Sequence, residues 1–353
     1  MVTLDSLLRD ASSFVNSEFG FDIEKSKLKP YSPENWQEFC QINNFNVNSE
    51  GLYVPASYSA YVRTDSPFLT SNIFHELYGH GLFCEHSKIG KKLVEIIQNK
   101  GDEKGFMFNE INPQEQPFGV AKYNIHNYEG FAVWLEELLS KETGYALVFE
   151  NKKQVISDNY LDLLDFFKQA EQDLTRFGLI SQLGFPKYYD DSKIVEIVKK
   201  FYGSNINNVN FVLLRGSQKP ESDIDLFIVS NYRSRNYFNG WLDIYELNRT
   251  EFEDWAKKLD ISVTDPIFSG KLIYGDRNYF EQVKRKIKNQ PITKEAIIHH
   301  ISEIERLKRY QTDINHEEDS RKKYIESFSQ NLEQLLLGNK PLTLKNLKEI
   351  YAK

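Results

Sequence analysis

The sequence predicts a multi-domain α+β protein, and three observations predict it. The chain has 353 residues, enough for two or three domains at roughly 150 residues each. Helical apolar spacing marks Leu161–Leu174 and the stretch after Pro291, whereas the stretch from about 209 to 245 carries short apolar runs typical of strands. Glycine and proline punctuate the chain between these stretches.

In chain order, Gly51-Leu-Tyr-Val-Pro-Ala-Ser-Tyr-Ser-Ala-Tyr-Val-Arg63 reads as strand, and Ser71 to His80 as helix. Leu161 to Leu174 has apolar residues at helical spacing and is expected to end near Gly178. A loop with Gly184 and Pro186 follows, spanning Ser181 to Asp190, and a new helix is expected from about Asp191. Strands follow at Val209–Leu214, Ile224–Val229 and Trp241–Tyr245. Pro291 precedes a long helical pattern, Lys294 to Tyr310, and the remaining residues read as helix punctuated by Gly338 and Pro341. These breaks predict domains at 1–183, 190–290 and 291–353.

Composition narrows the function classes. The chain is 40% hydrophobic and 14% aromatic, which supplies real cores and rules out a disordered chain. Its 44 Lys and Arg against 51 Asp and Glu give a formal charge of −7, which argues against a basic coat for nucleic acid. Two cysteines, Cys40 and Cys84, make no disulfide framework and fit a reducing compartment. Met1 to Asp10 has no apolar core of a signal peptide, and no stretch approaches 18 apolar residues. The expectation is a cytoplasmic protein with no membrane partner.

The segment Ser71-Asn-Ile-Phe-His-Glu-Leu-Tyr-Gly-His80 brings His75, Glu76 and His80 close in sequence. Two neutral imidazoles can hold a zinc ion, and an adjacent carboxylate can take a proton from water. In the common H-E-x-x-H motif the histidines lie four apart; here they lie five apart, about 140° around a regular α-helix. Convergence on one ion therefore demands a π-bulge, expected near Tyr78-Gly79, and deletion of Tyr78 would restore the common spacing. These residues resemble the dipeptidyl-peptidase III family, whose motif is H-E-L-L-G-H against His75-Glu-Leu-Tyr-Gly-His80 here. The resemblance implies a zincin-like domain and a third ligand, a glutamate some fifty residues downstream. Tyr128-Glu-Gly-Phe-Ala-Val-Trp-Leu-Glu-Glu137 lies at that distance, and Glu129 is the choice there. The family's E-E-C-R-A-E motif is not reproduced, because Gly130 follows Glu129. His86, six residues after His80, is a rival ligand at metzincin spacing. His126, Tyr128 and Tyr145 are candidate oxyanion donors, and the Gly51–Arg63 strand is a candidate edge for an extended peptide.

The second motif is Arg215-Gly-Ser-Gln-Lys-Pro-Glu-Ser-Asp-Ile-Asp-Leu226. Gly216 and Ser217 can approach a triphosphate, and Asp223 and Asp225, two apart, point to one face of an extended chain. Like charges so placed call for a cation, and Mg²⁺ bridges carboxylate to phosphate oxygens. The pattern resembles nucleotidyltransferases of the DNA polymerase beta superfamily, with signature G-S-x(n)-S-D-x-D. The resemblance implies a polymerase-beta-type α/β domain, a third carboxylate at Asp243, and a helical C-terminal domain on the acceptor side. The 18-residue gap from Asp225 to Asp243 reads as a direct hairpin through Tyr232 to Gly240. Arg215 and Lys219 read either as triphosphate contacts or as a solvated loop. The run Lys284-Arg-Lys-Ile-Lys288 reads as a solvated helix face, with acceptor RNA the less favoured reading.

The expected function is Mg-dependent transfer of a nucleoside monophosphate from NTP to a hydroxyl acceptor, fused to a zinc-dependent peptidase-like domain. Glu76 is the expected base of the peptidase. His75, His80 and Glu129 hold one Zn²⁺; Asp223, Asp225 and Asp243 hold one or two Mg²⁺, and Asp243 also activates the acceptor. The alternative is a toxin–antitoxin or stress-response regulator in which one head acts on a partner protein and the other is degenerate.

Overall fold

A computed structural model describes residues 3–112, 118–187, 190–309 and 315–352. The chain is a multi-domain α+β protein that divides into two compact units: Met1–Lys200 with Lys219–Ser222, and Phe201–Gln218 with Asp223–Lys353. Among the described residues no helix is long and apolar enough to cross a membrane.

The first unit carries a small sheet of β1 (Leu28–Tyr31), β2 (Gly51–Val54) and β3 (Ser59–Arg63), ordered β1-β3-β2. The single strand expected over Gly51–Arg63 is thus two antiparallel strands, with Tyr53 opposite Ala60. Pro55 has no N–H to continue a ladder, and Tyr58 adopts a left-handed φ of 49°, so the chain turns back. β1 pairs parallel to β3 on its other side, which leaves β2 at the edge.

Helical backbone then runs from Leu69 to His86, with a π-helix over Phe74–His80 between two α-helical stretches. It packs on the helix Asn124–Glu142 so closely that a Cβ on Gly79 would lie 2.7 Å from the Ala132 Cα. The Asn124–Glu142 helix in turn rests on Asp158–Gln182, where a Cβ on Gly130 would meet the Phe167 ring at 2.3 Å. A glycine after Glu129 is therefore a packing requirement. The helix expected to end near Gly178 breaks earlier, at Thr175 (φ 68°, ψ 163°), and resumes to Gln182. The Thr175 hydroxyl accepts the Gly178 N–H at 3.2 Å and so caps the second segment. The helix expected from Asp191 runs Asp191–Tyr202; Tyr188 and Tyr189 of the preceding loop lie outside the described residues.

The second unit is built on five strands: β4 (Val209–Arg215), β5 (Ile224–Ser230), β6 (Arg235–Phe238), β7 (Leu242–Asn248) and β8 (Lys271–Gly275). Their order is β6-β7-β5-β4-β8. The direct hairpin expected between Asp225 and Asp243 is absent. β5 and β7 are parallel, and β6 makes the connection by pairing antiparallel to the far edge of β7. Parallel neighbours need a crossing connection, and here the Arg235–Phe238 edge strand supplies it. Helices Arg249–Lys257, Ile261–Ser269 and Arg277–Asn289 follow the sheet strands. The last of these buries Phe280, Val283 and Ile287, leaving its basic run on the opposite side. Phe211, Leu213, Phe227, Phe252 and Phe280 form one core, and Leu335 and Leu342 from beyond Pro291 pack into it. The C-terminal helices therefore share the sheet's unit instead of standing as a third domain. The helix expected over Lys294–Tyr310 runs Lys294–Arg309, and Tyr310 lies outside the described residues.

Candidate functional site

In the first unit, widening of the helix brings the two histidines together. The His75 and His80 rings lie 4.7 Å apart, edge to face, which a regular α-helix would prevent at this spacing. The Asn124–Glu142 helix supplies Glu129, whose Oε2 lies 3.7 Å from His75 Nε2 and 3.5 Å from His80 Nε2. One donor atom from each residue lies within 4.8 Å of the others, the tight three-donor grouping among the described residues. These separations are too long for hydrogen bonds, and Glu129 Oε2 is buried without a hydrogen-bond partner. Donors that each reach a zinc ion at about 2.0–2.2 Å stand roughly 3.3–3.6 Å apart, which the two histidine–glutamate separations approach.

A second layer, missed in the sequence reading, fixes the first. Glu136 Oε2 lies 2.9 Å from His75 Nδ1, so the other ring nitrogen faces Glu129. Glu136 Oε1 accepts from Lys152 Nζ at 2.6 Å and from the Ser71 hydroxyl. Glu136 follows Glu129 by seven residues, two helical turns, and that spacing was the available signal. Tyr128 stacks on His80 at 3.9 Å, so its ring serves as a wall. Burial would raise the Glu129 carboxyl, but His80 and His75, with a smaller contribution from Tyr160 (also missed), bring it down to about 2. Burial pushes His80 down to about 3. Burial would lower His75 too, but Glu129 and Glu136 hold it up, to about 10.

Glu76 lies against β2, where a Cβ on Gly51 would come within 2.8 Å of its Cγ. Burial raises its carboxyl to about 7, reinforced by Glu129 and Glu136 and opposed by His75 and Lys152. Gly51, His75, Glu76 and Tyr160 line a cleft of about 430 Å³. His86 is directed elsewhere: its Nε2 meets the Asp22 carbonyl at 3.2 Å, and its ring stacks on Phe21. Tyr145 packs against Phe74, His126 is exposed on an adjoining groove, and Cys84 is fully buried.

In the second unit the parallel register sets Asp225 directly opposite Asp243, and β4 sets Arg215 opposite Asp225 on the other side. Asp223 lies one residue before β5. Burial raises the Asp225 carboxyl to about 6, with Asp223 and Asp243 adding to the rise and Arg215 opposing it. Asp243 is raised by burial, again against Arg215. Gly216, at φ +75°, opens the turn after β4, and Ser217 follows it, exposed. The aspartates are more open than the histidine cluster and form no comparably tight three-donor group among the described residues. Arg215, Asp243, Tyr245, Trp255, Arg306 and Tyr324 line a cleft of about 320 Å³.

No known protein-family profile matches the chain, and no curated protein matches its sequence. Among solved structures, a nucleotidyltransferase-like protein from Exiguobacterium sibiricum 255-15 superimposes with a TM-score of 0.27 at 10% identity. The match covers 46% of this chain and 62% of that one, so this chain spans under two thirds of the neighbour's length. A superposition at this level assigns neither family nor fold.

Proposed function

We propose that the second unit is a nucleotidyltransferase that moves a nucleoside monophosphate from an NTP to a hydroxyl acceptor. The observation that carries this reading is the in-register pair Asp225 and Asp243 on parallel β5 and β7, beside the Gly216-Ser217 turn. Asp223 and Asp225 would hold Mg²⁺, with Asp243 as a further ligand. Magnesium, when bound, neutralises phosphate charge and orients the phosphates for in-line displacement. Asp243, raised by burial, accepts the proton of the acceptor hydroxyl. The glycine turn keeps side-chain bulk away from the phosphates, and the Ser217 hydroxyl donates to them. The 320 Å³ cleft on the Asp243 side is the acceptor's place.

The first unit carries a second reading, a zinc-dependent peptidase-like site, favoured by the convergence of His75, His80 and Glu129. Zinc, when bound by these three, supplies Lewis acidity toward a carbonyl. Glu76, which lies against β2 beside the cluster, takes a proton from water and returns it to the leaving amine. Edge strand β2 offers main-chain groups to an extended peptide beside Glu76.

Metal analysis of the purified protein, with radiolabelled NTP offered against small-molecule, tRNA and protein acceptors, tests both readings. Label transfer lost in Asp243→Asn supports the first. Binding of neither NTP nor Mg²⁺ removes it. Absence of stoichiometric zinc after zinc loading removes the second.

A further inference from the structure

A groove of about 720 Å³ adjoins the candidate metal cluster, with Glu129 and Tyr160 on its wall. Its size falls within the roughly 300–1,000 Å³ of ligand clefts. Tyr160 also lines the cleft over His75 and Glu76, so the two depressions share it as a wall. The groove's sides are two helix faces. Ile125 and Glu129 stand one turn apart on Asn124–Glu142; Asn159, Leu163 and Phe166 share a face of Asp158–Gln182.

Two large apolar side chains in this groove stay in water. Phe108 is 65% exposed and Phe166 is 47% exposed, although the adjacent Phe167 is fully buried. Exposed aromatics converging on a concave surface beside a catalytic cluster mark a binding surface. Asn159 to Phe166 spans about 10 Å at 1.5 Å per residue, the length of about three residues of extended peptide at 3.3 Å each. Lys122, His126 and Asp162 supply a polar rim.

We propose that this groove is the specificity pocket of the candidate peptidase, taking a large apolar side chain next to the bond to be cut. The inference rests on the peptidase reading and specifies its substrate: an extended peptide with a phenylalanine- or leucine-like residue lying over Phe166 and Phe108. Glu129 belongs both to the metal cluster and to the wall of the groove, and this shared residue favours a substrate over an independent partner.

The test uses full-length, zinc-loaded Glu76→Gln protein and end-blocked Gly-Gly-Xaa-Gly-Gly peptides, with Xaa as Phe, Leu, Ala or Asp. Binding is followed by calorimetry. Phe and Leu peptides are expected to bind at least about tenfold more tightly than the Ala peptide, the scale of burying one large apolar side chain. Phe166→Ser, combined with Phe108→Ser, should collapse that preference; both residues are exposed, and a circular dichroism melt checks the fold. An apolar preference that survives the double substitution overturns the proposal, and so does failure of every peptide to bind. Wild-type protein is then given a mixed peptide pool. Cleavage beside Phe or Leu supports pocket and peptidase together. A groove preference without cleavage leaves the pocket standing and removes the hydrolysis reading.

Discussion

Gly216 and Asp225 stand so close that a Cβ on the glycine would lie 2.0 Å from the carboxylate oxygen Oδ2 of the aspartate. The glycine also holds φ at +75°, a region that costs an L-residue about 1–2 kcal/mol. Gly216→Ala should therefore displace Asp225 before it disturbs the core. Nucleotide transfer is expected to fall more than about tenfold while the melting temperature drops by only a few degrees, as a strain of this size implies. Transfer at wild-type rates would show that Asp225 needs no such approach.

Replacing Asp223 and Asp225 together by asparagine removes two carboxylates offered to magnesium. Transfer should disappear, while zinc content, set by His75, His80 and Glu129 in the other unit, should stay unchanged, because sites that share no residues or partners act additively. Loss of zinc in this variant would contradict the independence of the two sites.

Glu136 is a positioning residue for His75. Glu136→Gln should weaken zinc binding by about 10–100-fold, as removal of such outer partners does, measured by competition with a chelator. Glu129→Ala should weaken it further, and His86→Ala should leave it unchanged, since His86 is bonded to the Asp22 carbonyl. Equal affinities in Glu136→Gln and wild type would reduce Glu136 to a partner of Lys152 and Ser71.

The C-terminal helices carry a pH dependence through His300. Its Nδ1 donates to the Ala296 carbonyl at 2.8 Å, and its Nε2 accepts from Asn331 Nδ2 at 2.7 Å, which requires the neutral ring. Burial holds its pKa below the usual histidine range. The unfolded chain, titrating near about 6.5, takes up the proton first as pH falls. The stabilisation is thus complete above that value and declines below it. Wild type should lead His300→Gln in urea midpoint at pH 7.5, and the lead should shrink by pH 5.5. A constant gap between the two would exclude this titration.

The histidine motif was legible because its spacing conflicts with a regular helix, and the conflict itself names the distortion. Glu129 was within reach only through the family resemblance, which implies a glutamate about fifty residues downstream. Glu136 and Tyr160 were not singled out, because neither belongs to a motif; each matters through which helix faces the cluster. In the second unit the residue types of the Gly216–Asp225 turn were readable, but strand direction was not. A parallel β5–β7 pair depends on where Arg235–Phe238 finds an edge, a long-range choice invisible in an 18-residue gap. The break at Thr175 was hidden because a capping hydroxyl, and no glycine, makes it. The C-terminal helices read as separate after Pro291, whereas Leu335 and Leu342 belong to the core around Phe211.

The π-helix has a consequence for how this chain can change over generations. Tyr78, inside the widened turn, is fully buried, and its hydroxyl donates to the Leu8 carbonyl at 2.9 Å and lies 3.0 Å from the Ser12 Oγ. Deleting Tyr78 would yield the ordinary four-residue histidine spacing, yet it would also cut this tether to the helix Leu4–Phe19, at a cost of the order of 3–5 kcal/mol for a lost buried aromatic. The deletion therefore does not simply preserve the metal grip. A lineage holding the wide turn cannot drift to the narrow one in a single tolerated step: either the tether or the histidine alignment fails on the way, and the extra residue is locked in.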